Sequence, residues 1–448
     1  MKNRNYLKMK RYITLTVIIL IQSYIIEAQD TLKLSDAIVL ALKNNYSISL
    51  AENTAEISDI NNSLGNAGML PKVDMTGTRS FALNNSKAVY FDGRVRDVPK
   101  AKSNIQNAGI QLSWTIFDGF NMFIQRDKLN ELQQLSNTQL RGVVENMVAQ
   151  VSRVYFDIVV QREILDLYHE ALQISNQRKQ FAKARLDLGG GSELTFLQAT
   201  VDMNADSANY MKQLSVITNL VSDLNLLLCR DLKISVLVEK NISVNEALIY
   251  DELWSKVQAQ SPDLLEARSA INLANLYTKE IKSVQLPRLS INTAYSYNKS
   301  ETDVGTFTSN RNLGFSAGVT LNYNIFNGFT NNQKLKIARV REESAVQDAE
   351  WQKLTLETNL RQIYTDFQTN LKLVRFEKEN MKFARLNWNI TQEKYKLGAL
   401  NDIELRETQK KLMDAENRLL QSLYMSKSAE IELLRLSGQL SGSIIPAK

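Results

Sequence analysis

Two stretches decide the fold: Ile110-Gln-Leu-Ser-Trp-Thr-Ile-Phe-Asp-Gly-Phe120 and Val319-Thr-Leu-Asn-Tyr-Asn-Ile-Phe-Asn-Gly-Phe329. In each, apolar side chains stand at every second position and the run closes on Phe-x-Gly-Phe. A period of two marks a β-strand with one apolar face, because successive side chains point to opposite sides of the pleat. The two copies lie 209 residues apart. The same offset carries Tyr155 onto Tyr364, Asp157 onto Asp366 and Leu188–Gly189 onto Leu397–Gly398 without a gap. Upstream, Met69-Leu-Pro-Lys72 answers Gln285-Leu-Pro-Arg288 at an offset of 216, with Ile48 over Leu264 and Ala51 over Ala267. The chain is one unit of about 210 residues written twice, far longer than a solenoid repeat.

Each unit holds a second strand. After Pro71, Val73, Met75, Phe81 and Leu83 alternate with polar residues, and only Arg79 breaks the apolar row. In the second unit Leu289, Ile291, Tyr295 and Tyr297 form one such face; Leu313, Phe315, Val319, Leu321, Tyr323 and Ile325 form the other. The expected β-hairpins are 72–117 and 288–326, with the Asn/Ser/Asp/Gly-rich stretches 84–107 and 298–310 as loops. A soluble half-buried hairpin gives the same alternation. The strand lengths and terminal aromatics suit a bilayer crossing. Four strands cannot close a barrel, and an open sheet edge in lipid leaves backbone groups unpaired at several kcal/mol each. The chain must therefore oligomerise. Two copies give a barrel filled by side chains; three give twelve strands and room for an aqueous lumen.

Beyond Phe120 the period changes to that of a helix. Leu140, Val144, Met147, Val151, Val154 and Ile158 alternate spacings of four and three, a heptad seam. Leu356, Leu360, Ile363, Phe367, Val374 and Met381 keep the same phase in the second unit. The predicted long helices, 120–188 and 329–397, are each about 100 Å long at 1.5 Å per residue. Each stops at glycine, and return helices are predicted at 193–229 and 402–436. Ser192 and Asn401 are the expected N-caps, with Glu193 and Asp402 favourable in the first turn. Residues 230–261, with Ile234, Val236 and Val238 at even spacing, break the heptad pattern and form a mixed segment between the two units. The tail 437–448 follows, expected to be disordered from Ser441 on.

The N-terminus reads as a signal peptide over residues 1–28: five Lys/Arg, an apolar run Tyr12–Ile26, and Ala28 at the exit. The 448-residue chain carries 54 Lys/Arg and 48 Asp/Glu, a net charge of +6. Without residues 1–28 the balance is 49 to 47, which removes a nucleic-acid reading. One Cys and one His leave no disulfide, zinc or Ser–His centre, and no cofactor motif or catalytic constellation emerges. Cys229 is read as a small buried hydrophobe and His169 as a packing or surface residue. Five prolines in the whole chain permit very long helices.

The ordered set of export signal, duplicated unit, Leu-Pro before the first strand, Phe-x-Gly-Phe after the second and glycine-turned helical hairpin resembles the TolC-like outer membrane efflux protein family. The resemblance spans about residues 29–440. It implies a homotrimer whose outer-membrane β-barrel continues into an α-helical coiled-coil tunnel through the periplasm. The tunnel would be the exit duct of a tripartite efflux pump or type I secretion system. A periplasmic adaptor would meet the helical tips and link them to an inner-membrane pump of the RND or ABC type. The family's tip motif, a tyrosine, a glycine three residues on and acids six and nine beyond it, maps onto Tyr395, Gly398, Glu404 and Glu407. These acids would ring the tunnel constriction, and their mutual repulsion would raise their pKa values. Thr195 and Gln198 hold the matching places in the first unit. A basic latch residue expected two after the glycine is Leu400 here, so a charge-paired latch at that place is not expected.

Arg185, Leu188, Gly189 and Ser192, with Lys396, Leu397 and Gly398, would form the adaptor-contact tips. Two simpler readings stand beside these. Gly and Ser supply turns regardless of function, and Glu404 and Glu407 could be a solvated helix face. A non-channel periplasmic or secreted coiled-coil scaffold remains the alternative, and the exported substrate is not written in the chain.

Overall fold

A computed structural model describes residues 31–444, so the signal-peptide expectation lies outside the described residues. In chain order the elements are α1 (Leu34–Asn44), α2 (Tyr46–Asn61), β1 (Lys72–Val89), β2 (Val95–Phe117), α3 (Asn121–Asp187) and α4 (Glu193–Leu227). Then come α5 (Tyr250–Gln260), α6 (Pro262–Ser283), β3 (Arg288–Thr302), β4 (Ser309–Asn322), α7 (Thr330–Lys396), α8 (Asp402–Leu436) and α9 (Leu440–Ile444). The duplication is carried into three dimensions: α3 and α7 both have 67 residues, α4 and α8 both have 35, and each pair is offset by 209. No helix among the described residues is long and apolar enough to cross a membrane.

The chain forms two compact units. One takes Leu50–Gly142 and Gln260–Leu356 and contains a single antiparallel sheet in the order β1-β2-β3-β4. Its register sets the apolar residues of all four strands on one face: Met75 opposite Ile110, Ile110 opposite Tyr295, Tyr295 opposite Phe315. The other face carries Thr, Ser, Asn and Gly, for example Thr76, Gly109, Ser296 and Gly314. β1 and β4 are the edges, each with one side unpaired among the described residues.

The expected loops are shorter than their composition suggests. β1 continues to Val89 and β2 starts at Val95, so only 90–94 turn, with the Tyr90 amide donating to the Arg94 carbonyl at 2.9 Å. Likewise β3 reaches Thr302 and β4 starts at Ser309. Ladder bonds are made by backbone, so polar side chains do not end a strand when both faces are wetted. At its other end β4 stops at Asn322, and Tyr323 and Ile325 fall outside it. Asn322 faces Arg288, and the preceding Pro287 has no N–H to extend the ladder.

The Phe-x-Gly-Phe elements are sharp exits from the sheet. Gly119 and Gly328 have φ of +71° and +66°, and Phe120 and Phe329 follow at +69° and +62°. Left-handed backbone costs a phenylalanine on the order of 1 kcal/mol. An edge-to-face ring pair offsets it in each copy: Phe117–Phe120 at 5.2 Å and Phe326–Phe329 at 5.3 Å.

The second unit takes the chain up to Ser49, Val143–Ala259 and the residues from Glu357 onward. Its core joins Ala37, Ile38 and Ala41 of α1 to Val148, Val151 and Ile158 of α3, Leu224 of α4, Val236, Val238 and Ile431. The seam positions Met147, Val151, Ile158, Leu360, Phe367 and Val374 are buried. The repeat is visible in its hydrogen bonds. Tyr155 donates to the Leu32 carbonyl at 2.8 Å, and Tyr364 donates to Leu248 at 3.2 Å, each carbonyl lying just before a short helix. Residues 230–249 supply one isolated bridge, Val238 to Leu32, rather than a strand of a sheet. Cys229 is half-exposed, contrary to its reading as buried: it sits just past α4 at φ +49°, and the neighbouring Leu228 takes the core place. His169 meets the Gln173 amide at 2.8 Å and lies beside the Tyr210 ring.

The C-terminal segment is helical from Leu440 to Ile444, which corrects the expectation of disorder at Ser441. The reason is Glu145. Its buried carboxylate accepts from the Leu440 amide at 3.1 Å and the Ser441 hydroxyl at 2.6 Å, capping α9 against α3. Glu145→Ala is expected to release α9 at a cost on the order of 2 kcal/mol. Limited proteolysis checks this: trimming from the C-terminus should begin earlier in the variant, and identical time courses would refute the anchor.

Candidate functional site: the helical-hairpin tips

The two tips are built alike. α3 ends on Gly189 at φ +75° and α7 on Gly398 at φ +74°. The amides one residue further on, Gly190 and Ala399, reach back to the Arg185 and Lys394 carbonyls at 3.0 and 2.9 Å. This is the Schellman arrangement, which satisfies the last helical carbonyls and needs a residue free to adopt positive φ. The chain turns at once into the next helix, where Ser192 accepts from the Leu194 amide at 3.2 Å and Asn401 from the Glu404 amide at 2.9 Å. Leu188 and Leu397 project at 87% and 82% exposure, Lys396 is exposed, and Arg185 stacks on the Phe181 ring at 4.5 Å.

Beneath the turns lies a charged cluster that sequence reading missed. Arg178 of α3, almost wholly buried, donates through Nε to Asp402 at 3.0 Å, through Nη2 to the same carboxylate, and through Nη1 to Asp202 at 3.2 Å. Arg406 of α8 holds Asp206 of α4 with both terminal nitrogens, at 2.7 and 2.8 Å, and Ser175 donates to Asp206. The Tyr395 hydroxyl donates to Asp402 at 3.2 Å. Four helices are thus joined by two guanidinium forks and three carboxylates. Burial alone would lower the Arg178 pKa, but Asp402 and Asp202 overcome it and the net shift is upward. Burial first, and then the Asp402 charge, raises the Tyr395 phenol, so it stays a donor at any physiological pH.

Of the residues expected at the constriction, only Tyr395 joins this cluster. Glu404, Glu407 and Gln198 are exposed and Thr195 half-exposed in the protomer. Glu407 pairs with Lys411 at 2.7 Å, which holds its carboxyl below the usual range, opposite in sign to the expected rise. A rise requires the symmetry copies of the acid. By sequence Asp402 is simply a first-turn acid of α8. A signal was present: Asp402, Gln409 and Glu416 recur every seven residues, an inward-facing polar row beside Leu405, Leu412 and Leu419. Among the described residues no group of three or more His, Cys, Asp or Glu could hold a metal ion.

The family model for outer membrane efflux proteins matches residues 37–228 and 253–439. The chain belongs to that family. This outer membrane efflux protein is 21% identical over 419 residues to the outer membrane efflux protein BepC of Brucella suis, covering 91% of this chain and 86% of that one. It is 22% identical over 367 residues to the probable outer membrane lipoprotein SilC of Salmonella typhimurium, covering 80% and 77%. Among solved structures it superposes on the Campylobacter jejuni CmeC outer membrane channel with a TM-score of 0.76 at 16% identity, covering 91% and 86%. The open state of the Neisseria gonorrhoeae MtrE outer membrane channel gives 0.71 at 17% identity, covering 91% and 89%. The efflux protein is therefore an outer-membrane channel, the exit duct of an efflux pump, acting as a trimer with other pump components.

Proposed function

We propose that this efflux protein is the channel-tunnel of a tripartite pump, passing small molecules from an inner-membrane transporter of the RND or ABC type to the outside. The observation that carries this is the sheet: four strands with one apolar face and two unpaired edges, which only further copies can close. A second feature supports a tunnel. Phe376, Phe383, Ile390 and Leu397 of α7 recur every seven residues and are at least 48% exposed, a seam left uncovered by the described residues of its own protomer. A neighbouring copy would cover it. The exposed tips, Arg185, Leu188, Gly189 and Ser192 with Lys396, Leu397 and Gly398, are the surface offered to a periplasmic adaptor.

At the tunnel entrance Glu404 and Glu407 from three copies would form carboxylate rings beside Tyr395, with Thr195 and Gln198 between them. Closure needs no basic residue at Leu400, because Arg178 and Arg406 already bind the second hairpin to the first. Recording single channels in planar bilayers tests this reading. The wild-type trimer should conduct weakly and favour cations. Glu404→Ala with Glu407→Ala should raise conductance severalfold and weaken cation preference. Unchanged conductance and selectivity would remove the acids from the constriction; failure to form a heat-dissociable trimer in outer membranes would remove the duct itself.

A further inference from the structure

On β2, β3 and β4 the apolar face of the sheet ends abruptly, while β1 carries Phe81 and Leu83 further. From Leu289 opposite Leu321 to Tyr297 opposite Leu313, five successive rows carry aliphatic, aromatic or small residues and Thr293. That is about 27 Å of strand at ~3.4 Å per residue, or some 20 Å of height at a tilt of ~40°. The next row on the same face is Arg79, Gln106, Lys299 and Arg311, partners in register across all four strands. It lies on the side of the hairpin turns, away from the helix junctions. In this efflux protein that side faces outward.

We propose that Arg79, Lys299 and Arg311 bind the phosphates of lipid A, the phosphorylated glycolipid anchoring the outer leaflet. Lys299 and Arg311 stand directly opposite one another, a like-charge pairing that disfavours the sheet and that an anion between them would relieve. Both arginines are already steered by aromatic faces, Arg79 over Phe81 at 4.6 Å and Arg311 over Tyr297 at 5.3 Å. That leaves planar forks at the upper edge of the apolar band, where long cationic side chains meet headgroups and a guanidinium matches phosphate geometry. One acid, Glu301, which holds Lys299 at 2.6 Å, offsets three cations, so the face keeps a surplus positive charge. The surplus continues beyond it: residues 80–102 and 302–310 hold five Lys/Arg against three Asp/Glu. In a trimer the row recurs three times around the barrel.

Native mass spectrometry of the purified trimer, titrated with lipid A carrying both phosphates, with dephosphorylated lipid A and with phosphatidylglycerol, tests the assignment. Bisphosphorylated lipid A should bind about tenfold or more tightly than either of the others. Arg79→Gln/Lys299→Gln/Arg311→Gln should abolish that preference while keeping the heat-dissociable trimer. Equal binding of phosphorylated and dephosphorylated lipid A would overturn the proposal without any variant. Equal binding of phosphatidylglycerol, or an undiminished preference in the triple variant, would overturn it too. The proposal rests on the outer-membrane reading, whose failure would show separately as the absence of a trimer.

Discussion

Arg178→Ala is expected to loosen the helical tips more than any other single change there. The substitution removes the one cation that bridges Asp402 to Asp202 and leaves Asp402, only 15% exposed, without its fork. Breaking a buried pair from one side costs about 3–5 kcal/mol, since the remaining charge keeps its desolvation penalty. Nearly all of this should fall on the tip, because the cluster lies far along the chain from the core around Ile38 and Val151. Hydrogen exchange should show lost protection at 175–206 and 395–409, with the core around Ile38 and Val151 unchanged. Tyr395 would lose the orientation of its acceptor, and single-channel conductance should rise. Arg178→Lys keeps the charge without the two-pronged geometry and should fall between wild type and Arg178→Ala. If Arg178→Ala leaves tip protection and conductance as in wild type, the cluster does not hold the tips together.

Gly119→Ala is expected to be far more damaging than Gly328→Ala, although the two residues occupy the same place in the repeated Phe-x-Gly-Phe motif. A Cβ on Gly119 would sit 2.4 Å from the Ser283 carbonyl oxygen and 2.8 Å from the Leu286 Cβ, with no flexible side-chain end to give way. A Cβ on Gly328 meets nothing within 4 Å. Both glycines have positive φ, so each alanine incurs a conformational cost of about 1 kcal/mol. Gly119→Ala adds a clash between β2's exit and the end of α6, for a total above about 3 kcal/mol. The measurement is the yield of heat-stable trimer in the outer membrane and its dissociation temperature. Gly328→Ala should assemble with a small shift, while Gly119→Ala should assemble poorly or not at all. Equal behaviour of the two would refute the close approach.

The asymmetry between these glycines shows where sequence reading stops. Each Phe-x-Gly-Phe could be recognised as a turn, since a glycine after an alternating apolar run has few other uses. Which of the two is pressed against a helix end depends on Ser283 and Leu286, more than 160 residues away. The hairpins show the same limit. Polar composition suggested loops at 84–107 and 298–310, yet most of those residues are paired, because ladder bonds depend on backbone register and not on side-chain polarity.

What the chain determined by itself was everything that recurs at short range. Period two gave the strands, heptads gave the long helices, Gly189 and Gly398 gave their ends, and the 209-residue offset gave the duplication. These are local properties, set by how side chains project from a strand or a helix. Tertiary structure alone decided the contacts that break the duplication. Arg178 would correspond to Asn387 and Asp402 to Glu193, so the ion cluster has no counterpart in the other repeat. Its members are separated by up to 231 residues and meet only once four helices are packed together. Charge pairing across such distances leaves no periodic trace, because it is fixed by which faces come together and not by spacing along one of them.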